Sequence, residues 1–390
     1  MRIALIGYGS IAEAHVQALQ QIGGVEFWVV VGRLPEPTAA FAQRFGFRFH
    51  TTDLATALSD LMVEAVVVCS PTDLHAQQTA QALEAGKHVL CEIPLATSLA
   101  ETDRLIALAD RQDRRLMVCH TQRYWPTVQR ARQAVADGLF VHHMVARYLF
   151  LRRENVNWRG RRRSWTDNLL WHHGCHAVDT VLWLLGAETV TVSGHVALPS
   201  RHLGIPMDIA IVLRTPQDQL ATIALSYNSH LALHDYLLIG EQDTLLVTPR
   251  RLEHQAGLLY DQATADPLES AIVQQDREFL AAVREGREPA ISGRAVRPTM
   301  AVLQAVQDLH RLPELPLAQN PLLVQAPVGP MQHQPDPPGP IRRLQGRSPG
   351  STSRLRLFAE LHEPGVLFEE LQPGDPRRPP PLLGDDDLHH

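Results

Sequence analysis

Lysine is almost absent from this chain. Lys87 is the only one, and arginine supplies the rest of the 36 basic side chains. Schiff-base or lysine-acid chemistry is thereby excluded everywhere but at Lys87. Cysteine is scarce too: Cys69, Cys91, Cys119 and Cys175 lie far apart, without C-x-x-C spacing. Each sits in or beside an apolar run, so buried free thiols in a reducing cytoplasm are expected. No apolar run reaches the roughly 18 residues that a membrane-spanning helix needs. The N-terminus MRIALIGYGS lacks the charged start and small-residue cleavage site of a signal peptide, and reads as a buried strand entering a glycine turn. Charge of one sign is also missing in bulk. A net charge of -6 gives no reason to expect a nucleic-acid or membrane partner.

What is present fits two folded domains and an appendage. Over residues 1–120, short apolar runs at 2–6, 26–31, 65–69, 88–91 and 115–119 alternate with helical spacing at 10–22 and 73–86. That alternation predicts parallel strands joined by crossover helices, a Rossmann dinucleotide-binding domain. From 121 to 312 longer strands are expected at 143–152, 189–198, 206–214, 219–228 and 235–240, with helices at 170–185, 269–286 and 293–311. This is an α+β domain with a large, mostly antiparallel open sheet. Sixteen of the 28 prolines fall within 313–390. A stretch so rich in proline cannot bury enough apolar surface to offset its ordering entropy, so a disordered tail is expected there.

Gly7-Tyr8-Gly9-Ser10-Ile11-Ala12 follows a strand and opens a helix, the context that a dinucleotide fingerprint requires. Gly7 permits the tight turn, Gly9 lets the backbone approach a pyrophosphate on the helix N-terminus, and Ala12 allows close helix–strand packing. The second strand ends Val31-Gly32-Arg33, with no carboxylate where an NAD enzyme would bind ribose hydroxyls. Arg33 could pair with a 2′-phosphate, so NADP is favoured over NAD.

His172 and His176 are four residues apart, which on a helix puts them on one face. Three readings stay open: catalytic acid–base groups, a metal pair of H-x-x-x-H spacing with no evident third ligand, or hydrogen-bonded core residues. No metal site is therefore expected. The arginines at 147, 152, 153, 159, 161, 162 and 163 form the densest basic cluster of the chain. Their forks suit planar carboxylates; a solvated loop or a cofactor phosphate patch would also account for them, and Arg161 and Arg162 look like plain loop charge.

Val66-Val67-Val68-Cys69-Ser70-Pro71-Thr72 through His75, and Ala85-Gly86-Lys87-His88-Val89-Leu90-Cys91-Glu92, resemble the glucose-fructose oxidoreductase, inositol dehydrogenase and MocA family. The resemblance runs from residue 1 to about 312. It implies a nicotinamide-dependent oxidoreductase acting on a CH–OH group, with the open sheet pairing copies into a homodimer or homotetramer. It also implies that Gly7, Gly9, Ser10, Ile11, Ala12, Arg33, Ser70, Pro71, Thr72, His75, Glu92, Ile93 and Pro94 bind the cofactor, with a cis bond before Pro94. In that family Glu-Lys-Pro closes the fifth strand and supplies a catalytic lysine; here Glu92-Ile93-Pro94 stands in its place, and Lys87 occupies a different position. His176 matches the family's catalytic histidine and His172 replaces an aspartate.

Both departures resemble one branch of the family. So do Glu92–Ala96, His120-Thr121-x-Arg123, Arg152-Arg153-x-Asn155-x-Asn157, Arg163-Ser164-Trp165-Thr166-Asp167 and Gln275-Asp276-Arg277-Glu278-Phe279. The branch implies oxidation of a small dicarboxylate cyclic hemiacetal to a lactone. Candidate substrate-binding residues are then Arg123, Arg152, Arg153, Arg163, Trp165, His172 and Asp179. A sugar or cyclitol dehydrogenase, which would normally want lysine at 93, and a silent NADP-binding regulator are the alternatives.

Overall fold

The structure, a computed structural model, describes residues 1–156, 160, 162, 166–265 and 268–311. The expected positions Arg163 and Trp165, and the proline-rich segment 313–390, lie outside the described residues. The first sheet has six strands. They are β1 (Arg2–Ile6), β2 (Glu26–Val31), β3 (Phe49–Thr51), β4 (Ala65–Val68), β5 (His88–Cys91) and β6 (Leu116–Val118), in the spatial order β3-β2-β1-β4-β5-β6. All five pairings are parallel. The helices α1 (Ser10–Ile22), α2 (Pro35–Phe45), α3 (Leu54–Ser59), α4 (His75–Glu84) and α5 (Leu99–Arg111) join these strands. β1 and β4 are almost wholly apolar and buried because helices cover both faces of a parallel sheet. Strand order reverses between β1 and β4, and ligands of open α/β sheets bind at such a point, beyond the carboxyl ends of the strands.

A second sheet follows α6 (Pro126–Ala136). Its strands are β7 (Val141–Leu151), β8 (Thr191–Val196), β9 (Asp208–Arg214), β10 (Leu220–Ser226), β11 (Asn228–Gly240), β12 (Thr244–Val247), β13 (Arg251–His254) and β14 (Gly257–Asp261). They lie in the order β14-β13-β12-β11-β7-β10-β9-β8, antiparallel except for β7 beside β10. β9 and β10 alternate buried with exposed residues, the pattern of a sheet covered on one face. The last three strands were not expected from the sequence. At four or five residues each, and separated by tight turns, they offer too few alternations to be read as strands.

Three more helices follow in the chain, α7 (His173–Leu185), α8 (Ala271–Glu285) and α9 (Gly293–Arg311); α6, α7 and α9 pack against the second sheet. α7 starts three residues later than its periodicity suggested. His172 caps it at φ -94 and ψ -86, outside helical geometry. The preceding turn is closed by Asn168, whose Oδ1 accepts the N–H of Leu170 at 2.9 Å. Gly174 is required by packing: a Cβ there would stand 3.0 Å from Leu225 Cδ1 and 3.3 Å from the Leu169 carbonyl oxygen. One apolar core runs through both sheets, and α8 packs on α1 in a second, small cluster of Ala14, Ala18, Ile272 and Val273. No described helix is long and apolar enough to cross a membrane.

Candidate active site

A cleft of about 800 Å³ opens over the carboxyl ends of β1, β2 and β4. Its floor is the glycine turn after β1. Gly7 takes φ +111, and a Cβ there would lie 2.5 Å from the Cys69 carbonyl oxygen. Around the neighbouring Gly9, the position of an added Cβ meets nothing within 4 Å, which leaves room for a ligand against the backbone. Gly9 is also the N-cap of α1, with no side-chain cap bond. The first-turn N–H groups and the helix dipole thus face the cleft, as a pyrophosphate site requires. These features fit a dinucleotide.

The rest of the wall comes from the expected loops. Arg33 lines the cleft at the end of β2, exposed and with no acidic neighbour on that strand end. Ser70, Pro71, Thr72 and His75 line it after β4. His75 joins two loops, its Nδ1 2.8 Å from the Pro94 carbonyl oxygen and its Nε2 2.8 Å from that of Ser70. Glu92 and Ile93 close the inner end, and the Ile93–Pro94 bond is cis. Lys87 is elsewhere: its Nζ donates to the carbonyls of Asp60 and Val63 at 2.8 and 2.9 Å, pinning a turn.

The two histidines of α7 separate. His172 lines the cleft, whereas His176 lies a turn deeper, packed edge-on against His120 with ring centroids 6.0 Å apart. The one-face argument fails because His172 is a cap outside the helix. Asp167 Oδ2 stands 3.6 Å from His172 Nε2, so the carboxylate that Arg152 engages also faces this ring. His173 belongs to an aromatic cluster, its Nδ1 against the Tyr227 hydroxyl and its ring beside Tyr148 and Phe150.

The arginines need correcting. Arg123 is engaged bidentately by Asp179, Nε to Oδ2 at 2.8 Å and Nη2 to Oδ1 at 2.6 Å. Arg152 is buried and donates to Asp167 and to Asn155 Oδ1. Arg153 donates to the Tyr227 carbonyl and Asn228 Oδ1. The forks of Arg123 and Arg152 therefore hold carboxylates of the protein itself, and Asp179 serves Arg123 rather than standing open to a ligand. Sequence cannot tell an internal carboxylate from a substrate's. Conversely Arg162, which reads as plain loop charge, lines the cleft. Burial would raise the Asp179 carboxyl, but Arg123 and then His120 hold it below the usual range. His120 is pulled down to about 4 by burial, which Asp179 at 3.3 Å only partly offsets.

Among the described residues, two groups set possible ligand atoms within 4.8 Å: His15 with Glu92 and Cys119, and Asp167 with His172 and His173. In the first, both ring nitrogens of His15 are already hydrogen-bonded, Nε2 to Glu92 and Nδ1 to Asp276. In the second, Arg152 already neutralises Asp167. The sequence reading gave no role to His15, Asp276, His120 or Asp167. The last three do lie within stretches that carry the family resemblance, and that was the available signal.

The family description "Oxidoreductase family, NAD-binding Rossmann fold" matches residues 1–120, and "Bacterial oxidoreductases, C-terminal" matches 126–257. The chain belongs to the glucose-fructose oxidoreductase, inositol dehydrogenase and MocA family and is a nicotinamide-dependent oxidoreductase. Among its relatives is 4-carboxy-2-hydroxymuconate-6-semialdehyde dehydrogenase of Sphingobium sp., 37% identical over 293 residues, covering 74% of this chain and 92% of the relative. Inositol 2-dehydrogenase of Rhizobium meliloti is 25% identical over 332 residues, covering 78% and 95%. The fold is shared with levoglucosan dehydrogenase, solved in complex with NADH and levoglucosan, at a TM-score of 0.70 and 20% identity, covering 80% of this chain and 97% of that one.

Proposed function

We propose that the chain oxidises a small dicarboxylate cyclic hemiacetal to its lactone, specifically the hemiacetal of 4-carboxy-2-hydroxymuconate-6-semialdehyde to 2-pyrone-4,6-dicarboxylate, a step of protocatechuate 4,5-cleavage. The observation that carries this reading is the inner end of the cleft. Ile93 stands where the family carries its lysine, and Glu92 and His172 are titratable side chains that line the cleft with it. A hemiacetal hydroxyl is more acidic than a simple alcohol and needs less help from a neighbouring cation. The relative at 37% identity supports the same substrate class.

When bound, the nicotinamide supplies the hydride acceptor. His172 takes the hydroxyl proton as the C–H hydride leaves the same carbon, and Asp167 steadies the imidazolium. His176 backs this end of the site from the core. Ile93 gives an apolar wall that keeps water from the reacting carbon. Arg162, which lines the cleft and stands 3.6 Å from the exposed Glu154, is the described arginine of the cluster proposed to meet a substrate carboxylate, with Arg163 and Trp165 assigned by the resemblance alone. Arg33, free of a competing carboxylate, favours NADP over NAD. The reduced, buried thiols suit the cytoplasm. Val212, Leu220 and Ile239 share the outward face of the second sheet and suit pairing into a homodimer or homotetramer.

The test is steady-state kinetics on the dicarboxylate lactol, an analogue lacking one carboxylate, and myo-inositol, each with NADP and NAD. The reading expects the dicarboxylate with NADP to be used best. Equal use of the two lactols removes the carboxylate assignment, and preference for inositol favours the cyclitol reading. In the same assay Arg33→Asp should raise KM for NADP while sparing NAD.

A further inference from the structure

His15 lies on α1 one turn beyond the glycine turn and is fully buried. Its Nε2 meets Glu92 Oε1 at 2.8 Å, and its Nδ1 meets the two oxygens of Asp276 at 3.0 and 2.9 Å. The second oxygen of Glu92 accepts the N–H of Ile93 at 3.2 Å. Three elements thus meet at one ring: the helix that opens on the phosphate turn, the turn after β5, and α8.

We propose that His15, clamped between Asp276 and Glu92, is a positioning residue that fixes the Glu92 carboxylate, and with it the Ile93–Pro94 turn, against the dinucleotide in the cleft. This rests on the cleft as the dinucleotide site and not on the substrate assignment.

Two carboxylates buried this close cannot both stay ionised without a cation between them. His15 is that cation. Burial pulls its pKa down, but Asp276 and Glu92 outweigh burial and push it up to about 10. The other titratable groups facing the cluster cannot substitute. Burial and Glu92 push the thiols of Cys69, Cys91 and Cys119 up, with Asp276 adding at Cys69 and Cys119, so they stay neutral, and burial pulls His120 down to about 4. Cys119 Sγ comes no nearer to His15 Nε2 than 3.9 Å. Burial already raises the Asp276 carboxyl, partly offset by His15. Without the imidazolium that offset is lost and two buried carboxylates face each other, so one is driven to take up a proton. When that carboxylate is Glu92, the cleft loses a charged acceptor and the turn loses its tether.

The experiment titrates the full-length protein with NADPH and NADH, followed by nucleotide fluorescence, from pH 6 to 9. Wild type should bind with a flat pH profile. His15→Gln should bind at least about tenfold more weakly at pH 6, the usual scale for breaking a buried charge pair, and recover toward pH 9. Adding Glu92→Gln to His15→Gln should cost no more than Glu92→Gln alone. Wild-type affinity with a flat profile in His15→Gln, or additive losses in the double variant, overturns the proposal. If circular dichroism shows His15→Gln unfolded, His15→Gln with Asp276→Asn replaces it, since the second buried carboxylate is then gone. Affinity still tenfold weak at pH 6 supports positioning; restored affinity means that His15 only neutralised Asp276 and overturns it. Failure of the wild type to bind either nucleotide would sink the reading of the cleft, and the proposal with it.

Discussion

At the scale of single residues, the cleft separates side chains that look equivalent in the sequence. His172 and His176 share a motif and a spacing, yet one lines the cleft and the other packs against His120. The proposed general base is therefore His172, the histidine that lines the cleft. Its replacement by Asn should cut kcat by about two to four orders of magnitude, the usual worth of a general base. His176→Asn should cost less in kcat, because its ring contacts the core; stopped-flow hydride transfer on both variants checks the order. The arginines teach the same lesson from the other side. Arg123 and Arg152 have the fork chemistry expected of substrate anchors, but Asp179 and Asp167 use it. Composition and spacing reveal which residues can bind a carboxylate, and only coordinates reveal whose carboxylate it is.

Elements were legible to the degree that they are local. The α1 span follows from its apolar spacing and the glycine turn before it, and the strands β1, β2 and β5 from short apolar runs ended by turn residues. α5 opens on a Ser98 N-cap with Glu101 at the third helical position. Ser98 Oγ accepts the Glu101 N–H at 3.2 Å and donates to Glu101 Oε2 at 2.9 Å. Ser98→Ala should therefore lower stability by about 1 kcal/mol, read as a shifted denaturation midpoint at constant slope. The start of α7 lies later than apolar periodicity predicts because Asn168 and His172 build a non-helical entry that such a pattern does not register. The late hairpin strands β12 to β14 escaped because each is held by its neighbours' hydrogen bonds rather than by its own pattern.

At the scale of the whole molecule, three histidines set the pH profile of stability. His15 is raised from 6.5 to about 10. Its contribution is fully present below 6.5 and is lost as pH rises from there through 10, because the unfolded chain releases the proton first. His88 and His120 are lowered from 6.5 to about 4, in both cases chiefly by burial. The unfolded chain binds those protons first, so the fold loses stability as pH falls from 6.5 toward 4. Melting temperature should thus peak near pH 6.5 and fall on both sides. His15→Gln should flatten the alkaline limb, and a profile still rising from pH 7 to 10 in the wild type would contradict the assignment. The parallel Rossmann sheet, the glycine turn, the missing lysine at 93 and the family were all determined by the sequence alone, because each rests on neighbours in the chain and on short-range sterics. The buried clamp of His15 by Glu92 and Asp276 was decided by tertiary structure, as were the pairing of Arg123 with Asp179 and the choice of histidine at the cleft. The clamp joins groups 77 and 261 residues apart and the Arg123 pair joins groups 56 apart, and which partners meet at such separations is fixed by the packing of helices on sheets, which no local pattern records.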